Sequence, residues 1–118
     1  MRLNHECVRD TMLYLEDTLE YGHFLPTTDI KIKDYSIDEI KYTLKKLSEA
    51  GYITIDREDI LGNFLVKSIT YNGHQFIDSV RDNTIWKETK SALAKVTGGT
   101  LPIIQQLATY FLKAKLGI

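Results

Sequence analysis

Apolar residues recur every three or four positions between Asn4 and Leu19, the spacing that places them on one side of an α-helix. The stripe is formed by Val8, Met12, Leu15 and Leu19. Asn4 is a suitable N-cap, because its side-chain oxygen can accept hydrogen bonds from the free amides of the first turn. Gly22 is a suitable stop. The pattern predicts a first helix over residues 4–19, with Cys7 as a small core residue on it.

The same apolar spacing returns in the stretch SIDEIKYTLKKLSEAGYI, residues 36–53. Its stripe is formed by Ile37, Ile40, Leu44 and Leu47. Ser36 and Glu39 stand three positions apart and form a capping box, in which each side chain satisfies a free amide near the other residue. Gly51 ends such a helix most simply in a left-handed conformation. We therefore predict a second helix from Ser36 to Gly51.

The segment between these two helices offers little room for regular structure. The loop HFLPTTD, residues 23–29, contains Pro26, which excludes helix there. Residues 30–33, Ile-Lys-Ile-Lys, alternate with a period of two, which predicts a very short strand. A helix-turn-helix needs a positioning helix before its recognition helix, and here that helix is predicted to be shortened or absent.

A β-hairpin is predicted to follow the second helix. Tyr52–Ile55 and Phe64–Thr70 have the composition of strands, and the connection between them, DREDILGN, contains the turn signal Gly62-Asn63. Ile60 and Leu61 lie at or near the tip of this connection. We expect them to be tucked under the hairpin, whereas an exposed pair would suit a protein partner.

Helical spacing resumes in the C-terminal part of the chain. Asn72 and Gln75 repeat the capping-box spacing at the start of a third helix. The inward residues of that helix are Phe76, Ile77 and Val80. A further helix follows from the spacing of Ile85, Trp86, Leu93 and Val96, with a break at Gly98-Gly99. The last helix is predicted to open at Thr100 as N-cap, with Pro102 in its first turn, and to run to Leu116.

Length and composition describe an ordinary globular chain. It has 118 residues, of which 43% are hydrophobic and 26% charged, enough for one domain with a modest core. No apolar run approaches the ~20 residues of a membrane span, and the N-terminal MRLNHECVRD lacks the apolar region of a signal peptide. A single cysteine cannot form an internal disulfide, so we expect a cytoplasmic protein. Because no apolar run is long enough to span a bilayer, we also expect no membrane partner.

Metal and catalytic sites are not predicted. His5, His23 and His74 are far apart in sequence, without the spacing of metal ligands. The chain contains no P-loop, no Rossmann fingerprint and no G-x-S-x-G motif. We therefore expect no cofactor, no metal and no enzymatic activity.

The segments LKKLSEAGYI and SITYNGHQFIDSVRD, on either side of the predicted hairpin connection, resemble bacterial winged-helix regulators. More closely, YSIDEIKYTLKKLSEAGYI together with ITYNGHQFIDSVRDNTIW is similar to a phage- and prophage-associated family, domain-of-unknown-function family number 2513. The resemblance implies a winged-helix fold in a mobile-element setting, and it brings no functional residues.

Pattern and resemblance together predict a mainly α fold with a small β-hairpin. We expect a winged helix-turn-helix with a shortened or missing positioning helix and a C-terminal helical extension. Residues 1–83 are assigned to the winged-helix domain. Residues 84–118 are assigned to the extension, packed on the same domain or on a dimer mate.

The outward face of the second helix is the candidate surface for binding DNA or a protein partner. The candidate contacts are Lys41, Tyr42, Lys45 and Lys46, with Arg57 in the hairpin connection. Asp38 and Glu39 lie in the first turn of the same helix, where carboxylates favour the helix dipole but repel phosphate. Alternatively, the pairs Asp38–Lys41 and Lys45–Glu49 hold a solvated face.

Charge is unevenly distributed along the chain. Residues 1–60 carry a net charge of −5 and residues 61–118 carry +4. DNA-binding domains usually present a basic face, because neutralising phosphates supplies most of their non-specific affinity. The half that contains the candidate recognition helix is the acidic half, which counts against a simple DNA-binding role.

The last helix is apolar over more of its circumference than packing on a small domain requires. Its polar residues occupy an arc of only roughly 100°; they are Gln105, Gln106, Thr109 and Lys113. The excess predicts either a helix wedged between two parts of one chain or a homodimer interface. The residues expected at the interface are Ile104, Leu107, Tyr110 and Phe111, with Trp86.

Two functions remain open from the sequence. The first is a DNA-binding transcriptional regulator of a phage or prophage that acts as a dimer. The second is a winged-helix adaptor or anti-repressor that binds a host or phage protein without binding DNA. The resemblance in fold favours the first, and the distribution of charge favours the second. Of the two, we expect the first, a DNA-binding regulator.

Overall fold

The computed structural model describes residues 1–96 and 99–118, and these form five α-helices and one three-stranded antiparallel sheet. The helices are α1 (His5–Thr18), α2 (Ile37–Glu49), α3 (Tyr71–Val80), α4 (Asn83–Leu93) and α5 (Leu101–Leu116). The strands are β1 (Leu25–Pro26), β2 (Ile53–Asp56) and β3 (Leu65–Ile69). The prediction of a mainly helical chain with a small sheet is confirmed. The chain divides into an N-terminal unit, Met1–His74, and a C-terminal unit, Gln75–Ile118.

The starts of α1 and α2 carry the predicted caps and are joined to one another. The Asn4 side-chain oxygen accepts from the amides of Glu6 at 2.9 Å and Cys7 at 3.2 Å. The Ser36 hydroxyl accepts from the amide of Glu39 at 3.1 Å. The second half of the predicted capping box is not formed, because the Glu39 carboxylate accepts from the side-chain amide of Asn4, also at 3.1 Å, and not from the Ser36 amide. One carboxylate therefore ties the N-termini of both helices together.

The end of α2 is the predicted left-handed glycine, with a φ of +81° at Gly51. The Gly51 amide donates to the carbonyl of Ser48 at 3.0 Å, and the Tyr52 amide donates to the carbonyl of Leu47 at 2.9 Å. These two bonds form a Schellman motif, which satisfies the last helix carbonyls. The chain leaves the motif directly into β2.

The strand predicted at residues 30–33 is wrong, and the short strand lies earlier, at β1. Its register on β3 is Leu25 opposite Val66 and Pro26 opposite Leu65. The strand order is β1-β3-β2, so β1 is an edge strand, where the missing amide of Pro26 costs no ladder hydrogen bond. The Ile-Lys alternation instead reflects one-sided burial, since Ile30 is buried and Lys31 is exposed.

The segment between α1 and α2 holds β1 and a three-residue 3₁₀ turn, Thr27–Asp29. No α-helix lies between α1 and α2, as the composition of this segment predicted. The predicted hairpin is also confirmed, because β2 and β3 match the expected strands to within one residue. A register shift between Thr54 and Ile55 marks an irregularity in their pairing.

The start of α3 lies two residues before the predicted position, because Thr70 and not Asn72 is its cap. The Thr70 hydroxyl accepts from the Gly73 amide at 3.0 Å and donates to the Gly51 carbonyl at 2.6 Å. It therefore caps α3 and ties this helix to the end of α2. A methyl group on Gly73 would overlap the carbonyl oxygen of Tyr52, so α3 begins against the backbone that leads into β2.

In the C-terminal unit, α4 and α5 pack against one another. The Asp82 carboxylate caps α4 by accepting from the Ile85 amide at 2.9 Å, and it also accepts from the Lys115 ammonium at 3.2 Å. The Ile85 bond, and then the Lys115 bond, lower the pKa of Asp82. Thr100 caps α5 as predicted, through the Ile103 amide at 3.4 Å.

The apolar stripe predicted for α4 is confirmed except at its end. Ile85, Trp86 and Leu93 are buried. Val96 lies beyond the last residue of α4 and is exposed, so the helix is one turn shorter than its apolar spacing suggested. The break predicted at Gly98-Gly99 includes Gly98, which lies outside the described residues.

Candidate interaction surface

The connection between β2 and β3 contains a tight turn at residues 59–63, here called the tip turn. The Asp59 carboxylate accepts from the amides of Leu61 and Asn63, both at 2.9 Å. The Asp59 amide donates to the Asn63 carbonyl at 2.8 Å, and the Gly62 amide donates to the Asp59 carbonyl at 3.1 Å. Gly62 has a φ of +80°, which glycine adopts readily. The tip turn is thus closed by its own hydrogen bonds.

Two neighbouring elements hold the tip turn in place. The Lys41 ammonium on α2 donates to the Leu61 carbonyl at 3.1 Å and to the side-chain oxygen of Asn63 at 3.4 Å. The Thr27 hydroxyl donates to the same Asn63 oxygen at 3.2 Å. Lys41 therefore supports the tip turn and does not form the pair predicted with Asp38. Sequence reasoning missed this role because Lys41 and Leu61 are 20 residues apart.

The side chains of Ile60 and Leu61 point away from the chain at the tip turn. Ile60 is fully exposed and Leu61 is 74% exposed. The expectation that this pair is tucked under the hairpin is wrong. The turn is closed through backbone groups and the side chains of Asp59 and Asn63, so its stability requires no burial of either apolar residue.

The remaining lysines of α2 also have acceptors within the chain. The Lys45 ammonium lies 2.5 Å from the Glu58 carboxylate, so the pair predicted with Glu49 is replaced by a pair with the hairpin connection. The Lys46 ammonium lies 3.1 Å from Glu49 and 5.4 Å from the centre of the Tyr42 ring. The hydrogen bond and charge of Glu49 raise the pKa of Lys46.

Tyr42 and Arg57, the other two predicted contacts, lie in different surroundings. The Tyr42 hydroxyl donates to the Met1 carbonyl at 3.5 Å. Arg57 is exposed, and its backbone is in the left-handed conformation, with a φ of +59°. Its amide donates to the Asp56 carboxylate at 2.8 Å. The structure thus places the predicted residues on α2 and on the adjoining connection, where carboxylates lie close to the cations.

The predicted dimer residues of the C-terminal unit fall into two groups. Trp86 and Ile104 are buried in the single chain. Tyr110 is 66% exposed, and Leu107 and Phe111 are half-buried. The rings of Tyr110 and Phe111 meet edge to face at 5.4 Å. Leu107, Tyr110 and Phe111 therefore form an accessible apolar strip on α5.

Cys7 is a core residue, as predicted. It is fully buried on α1, and the Thr43 hydroxyl of α2 donates to its sulfur at 3.3 Å. The pKa of the Cys7 thiol is raised, mainly because the thiol is buried. A buried, neutral thiol packs well and reacts poorly.

Residues 1–96 and 99–118 contain neither a candidate metal site nor a candidate membrane span. No group of three or more His, Cys, Asp or Glu side chains in these ranges could hold a metal ion. None of the helices in the described part of the chain has the length and hydropathy of a membrane span.

The molecule is a small helical protein with a three-stranded sheet and a hydrogen-bonded, apolar loop tip. The chain belongs to the family described as Hypothetical protein (DUF2513), whose model matches residues 2–100. The match covers α1 to α4 and the whole sheet, and it ends before α5. It confirms the resemblance noted in the sequence. Comparisons with curated proteins and with solved structures give no significant match.

Proposed function

We propose that this chain is a winged-helix regulatory protein of phages or prophages that binds another protein through α2 and the tip turn. The observation that carries the proposal is the outward position of Ile60 and Leu61 on a turn that other residues hold in place. In this assignment α2 corresponds to the recognition helix, and β2 and β3 form the wing. The role is binding and not catalysis.

The hydrogen-bonded backbone of the tip turn distinguishes Ile60 and Leu61 from ordinary exposed surface residues. Single exposed apolar side chains are common and need no explanation. These two are adjacent, and the turn beneath them is hydrogen-bonded to α2 through Lys41. Because the backbone is already ordered, less conformational entropy is lost when a partner covers the pair. Such a pair can fill a pocket in a protein partner.

The charge near the tip turn favours a protein partner over nucleic acid. Asp56 ends β2, Glu58 and Asp59 lie in the connection that follows it, and two further carboxylates lie in the first turn of α2. Affinity for nucleic acid comes largely from cations that neutralise phosphates. Each of the three lysines on α2 already has an acceptor in the chain. An apolar pocket with a basic rim would be complementary to this surface.

A DNA-binding transcriptional regulator is the second candidate, and the exposure of two lysines favours it. The side chains of Lys45 and Lys46 are 40% and 39% exposed. Exposed ion pairs contribute at most ~1 kcal/mol, so phosphates can replace their carboxylate partners at little cost. The DNA contacts would then be Lys41, Tyr42, Lys45, Lys46 and Arg57.

An anisotropy titration with phage and host promoter DNA at two salt concentrations separates the two candidates. For a protein-binding role we expect no tight, salt-dependent binding. A DNA-binding role requires an affinity that falls steeply as salt rises, and Lys45→Glu combined with Lys46→Glu should abolish it. The control combines Lys87→Glu with Lys95→Glu, the same charge change on the C-terminal unit. Binding that only the α2 double variant removes would contradict the protein-binding proposal.

A homodimer formed through α5 is part of the proposal. Ile103, Leu107, Tyr110 and Ala114 are spaced by four, three and four residues, the spacing of a coiled-coil seam. Ile103, Tyr110 and Ala114 are exposed. A second seam on the same helix, at Leu101, Ile104 and Ala108, is buried. One strip thus packs within the chain and the other is available to a second copy.

Sedimentation velocity at micromolar concentration tests this dimer. We expect the wild-type chain to sediment at twice its mass of 13.6 kDa. Leu107→Lys combined with Tyr110→Lys should give monomers, because four ammonium groups would meet at the interface. The control combines Lys87→Ala with Lys90→Ala on α4. A wild-type chain that sediments as a monomer would exclude the dimer.

A further inference from the structure

A cleft of about 490 Å³ lies before the start of α2 in the N-terminal unit. Its lining includes four isoleucines and two lysines, namely Ile30, Ile32, Ile37, Ile40, Lys31 and Lys33. The volume lies within the usual range for sites that bind small ligands, and an apolar lining with few polar groups is typical of such sites.

One wall of the cleft is built by residues 30–33, which were predicted as a strand and instead lead into a turn that the Tyr35 amide closes by donating to the Ile32 carbonyl at 3.3 Å. Ile30 and Ile40 are buried and form the floor, and Ile37 in the first turn of α2 is 45% exposed at the mouth. The end of the segment is fixed, because the Tyr35 hydroxyl donates to the Asp10 carboxylate of α1 at 2.8 Å. The cleft is therefore bounded by ordered elements.

The charge of the lining is positive. Lys31 and Lys33 are its two ionisable cations, and no carboxylate belongs to the lining. Both lysines are exposed, and within residues 1–96 and 99–118 neither forms an ion pair. They differ in this from Lys45 and Lys46, which have carboxylate partners. An apolar cleft with two unpaired ammonium groups is complementary to a ligand with an aliphatic body and a negative end.

We propose that this cleft binds a small aliphatic carboxylate, with its chain against the four isoleucines and its carboxylate between Lys31 and Lys33. The site adjoins the proposed protein-binding surface at Asn63, but ligand binding in the cleft does not depend on that role. Asn63 also lines the cleft, and its side-chain oxygen accepts from Lys41 and Thr27. A ligand in the cleft would thus lie beside a residue that anchors the tip turn.

Titration with octanoate, below its micelle-forming concentration, tests the site in protein labelled with ¹³C at the isoleucine methyl groups. We expect saturable shifts of the Ile32 and Ile37 methyl signals. Ile60 and Ile103, which are exposed elsewhere on the chain, should shift little. 1-Octanol is the neutral control ligand, and it should bind more weakly because it lacks the charge.

Two double variants identify the role of the lysines. Lys31→Gln with Lys33→Gln should weaken octanoate binding about fivefold, the effect expected when two exposed ion pairs are lost. Lys87→Gln with Lys95→Gln should leave the affinity unchanged. Equal shifts at Ile37, Ile60 and Ile103 would show general hydrophobic binding and overturn the proposal. Equal affinity for octanoate and 1-octanol, or no saturation, would also overturn it.

Discussion

Gly73→Ala should lower the free energy of unfolding by about 1–3 kcal/mol, the usual cost of forcing an extra methyl group into a packed site. A Cβ atom at Gly73 would overlap the carbonyl oxygen of Tyr52 and press on the Ile69 side chain. In an ordinary helix the same change stabilises by up to ~1 kcal/mol, because alanine has the higher helix propensity. The sign of the effect therefore reports the close approach of α3 to the backbone before β2. Urea denaturation followed by circular dichroism measures it.

Asn72→Ala is the matched control, since Asn72 is the neighbouring residue of α3 and is exposed. Its effect should lie within about 0.5 kcal/mol of zero. Because Thr70 supplies the cap, loss of the Asn72 side chain removes no capping bond. A Gly73→Ala variant as stable as the wild type would show that α3 can move away from Tyr52 without cost.

Features determined by neighbouring residues could be predicted from the sequence. The caps Asn4 and Ser36 each bond to amides two or three residues away, so local spacing contains the information. The same holds for Gly51, where the left-handed conformation follows from the end of the apolar stripe. These short-range rules located α1, α2 and the hairpin to within two residues.

Features determined by distant partners could not be predicted. Thr70 and Asn72 are both acceptable caps, and the choice depends on the Gly51 carbonyl, 19 residues before Thr70. Residues 30–33 alternate as a strand would, but β3 pairs with Leu25–Pro26. An alternation of apolar and polar residues indicates which side of a segment is buried. It does not indicate whether another strand pairs with that segment.

The sequence predicted where the candidate surface lies, but not which carboxylates pair with its lysines. Helical spacing placed the lysines on one face of α2, and the structure agrees. The same spacing paired Lys45 with Glu49, whereas the hairpin connection brings Glu58 to Lys45. That connection also presents Ile60 outward, which no short-range pattern could reveal. Lys41 supports the tip turn, and the apolar pair on that turn becomes the more distinctive feature of the surface.

Ile60→Asp combined with Leu61→Asp should weaken binding to the protein partner by about 100-fold or more. Loss of a single central apolar or aromatic anchor often costs about 2 kcal/mol or more, and here two anchors are replaced by carboxylates. The fold should be unaffected, because Ile60 is fully exposed and Leu61 is 74% exposed. A host or phage protein captured by the wild-type chain is purified, and its affinity for each variant is measured by calorimetry alongside the variant's urea midpoint.

Two further variants separate the role of the apolar pair from that of its support. Tyr21→Asp changes another large, exposed hydrophobic residue of the N-terminal unit and should leave the affinity unchanged. Lys41→Met removes the bonds to Leu61 and Asn63 while keeping both apolar side chains. It should weaken binding less than the double variant, because a looser tip turn must be ordered when the partner binds. A partner that binds the Ile60→Asp, Leu61→Asp variant as tightly as the wild type would show that the tip turn is not the contact. Equal affinities for Lys41→Met and the wild type would show instead that the tip turn needs no support from α2.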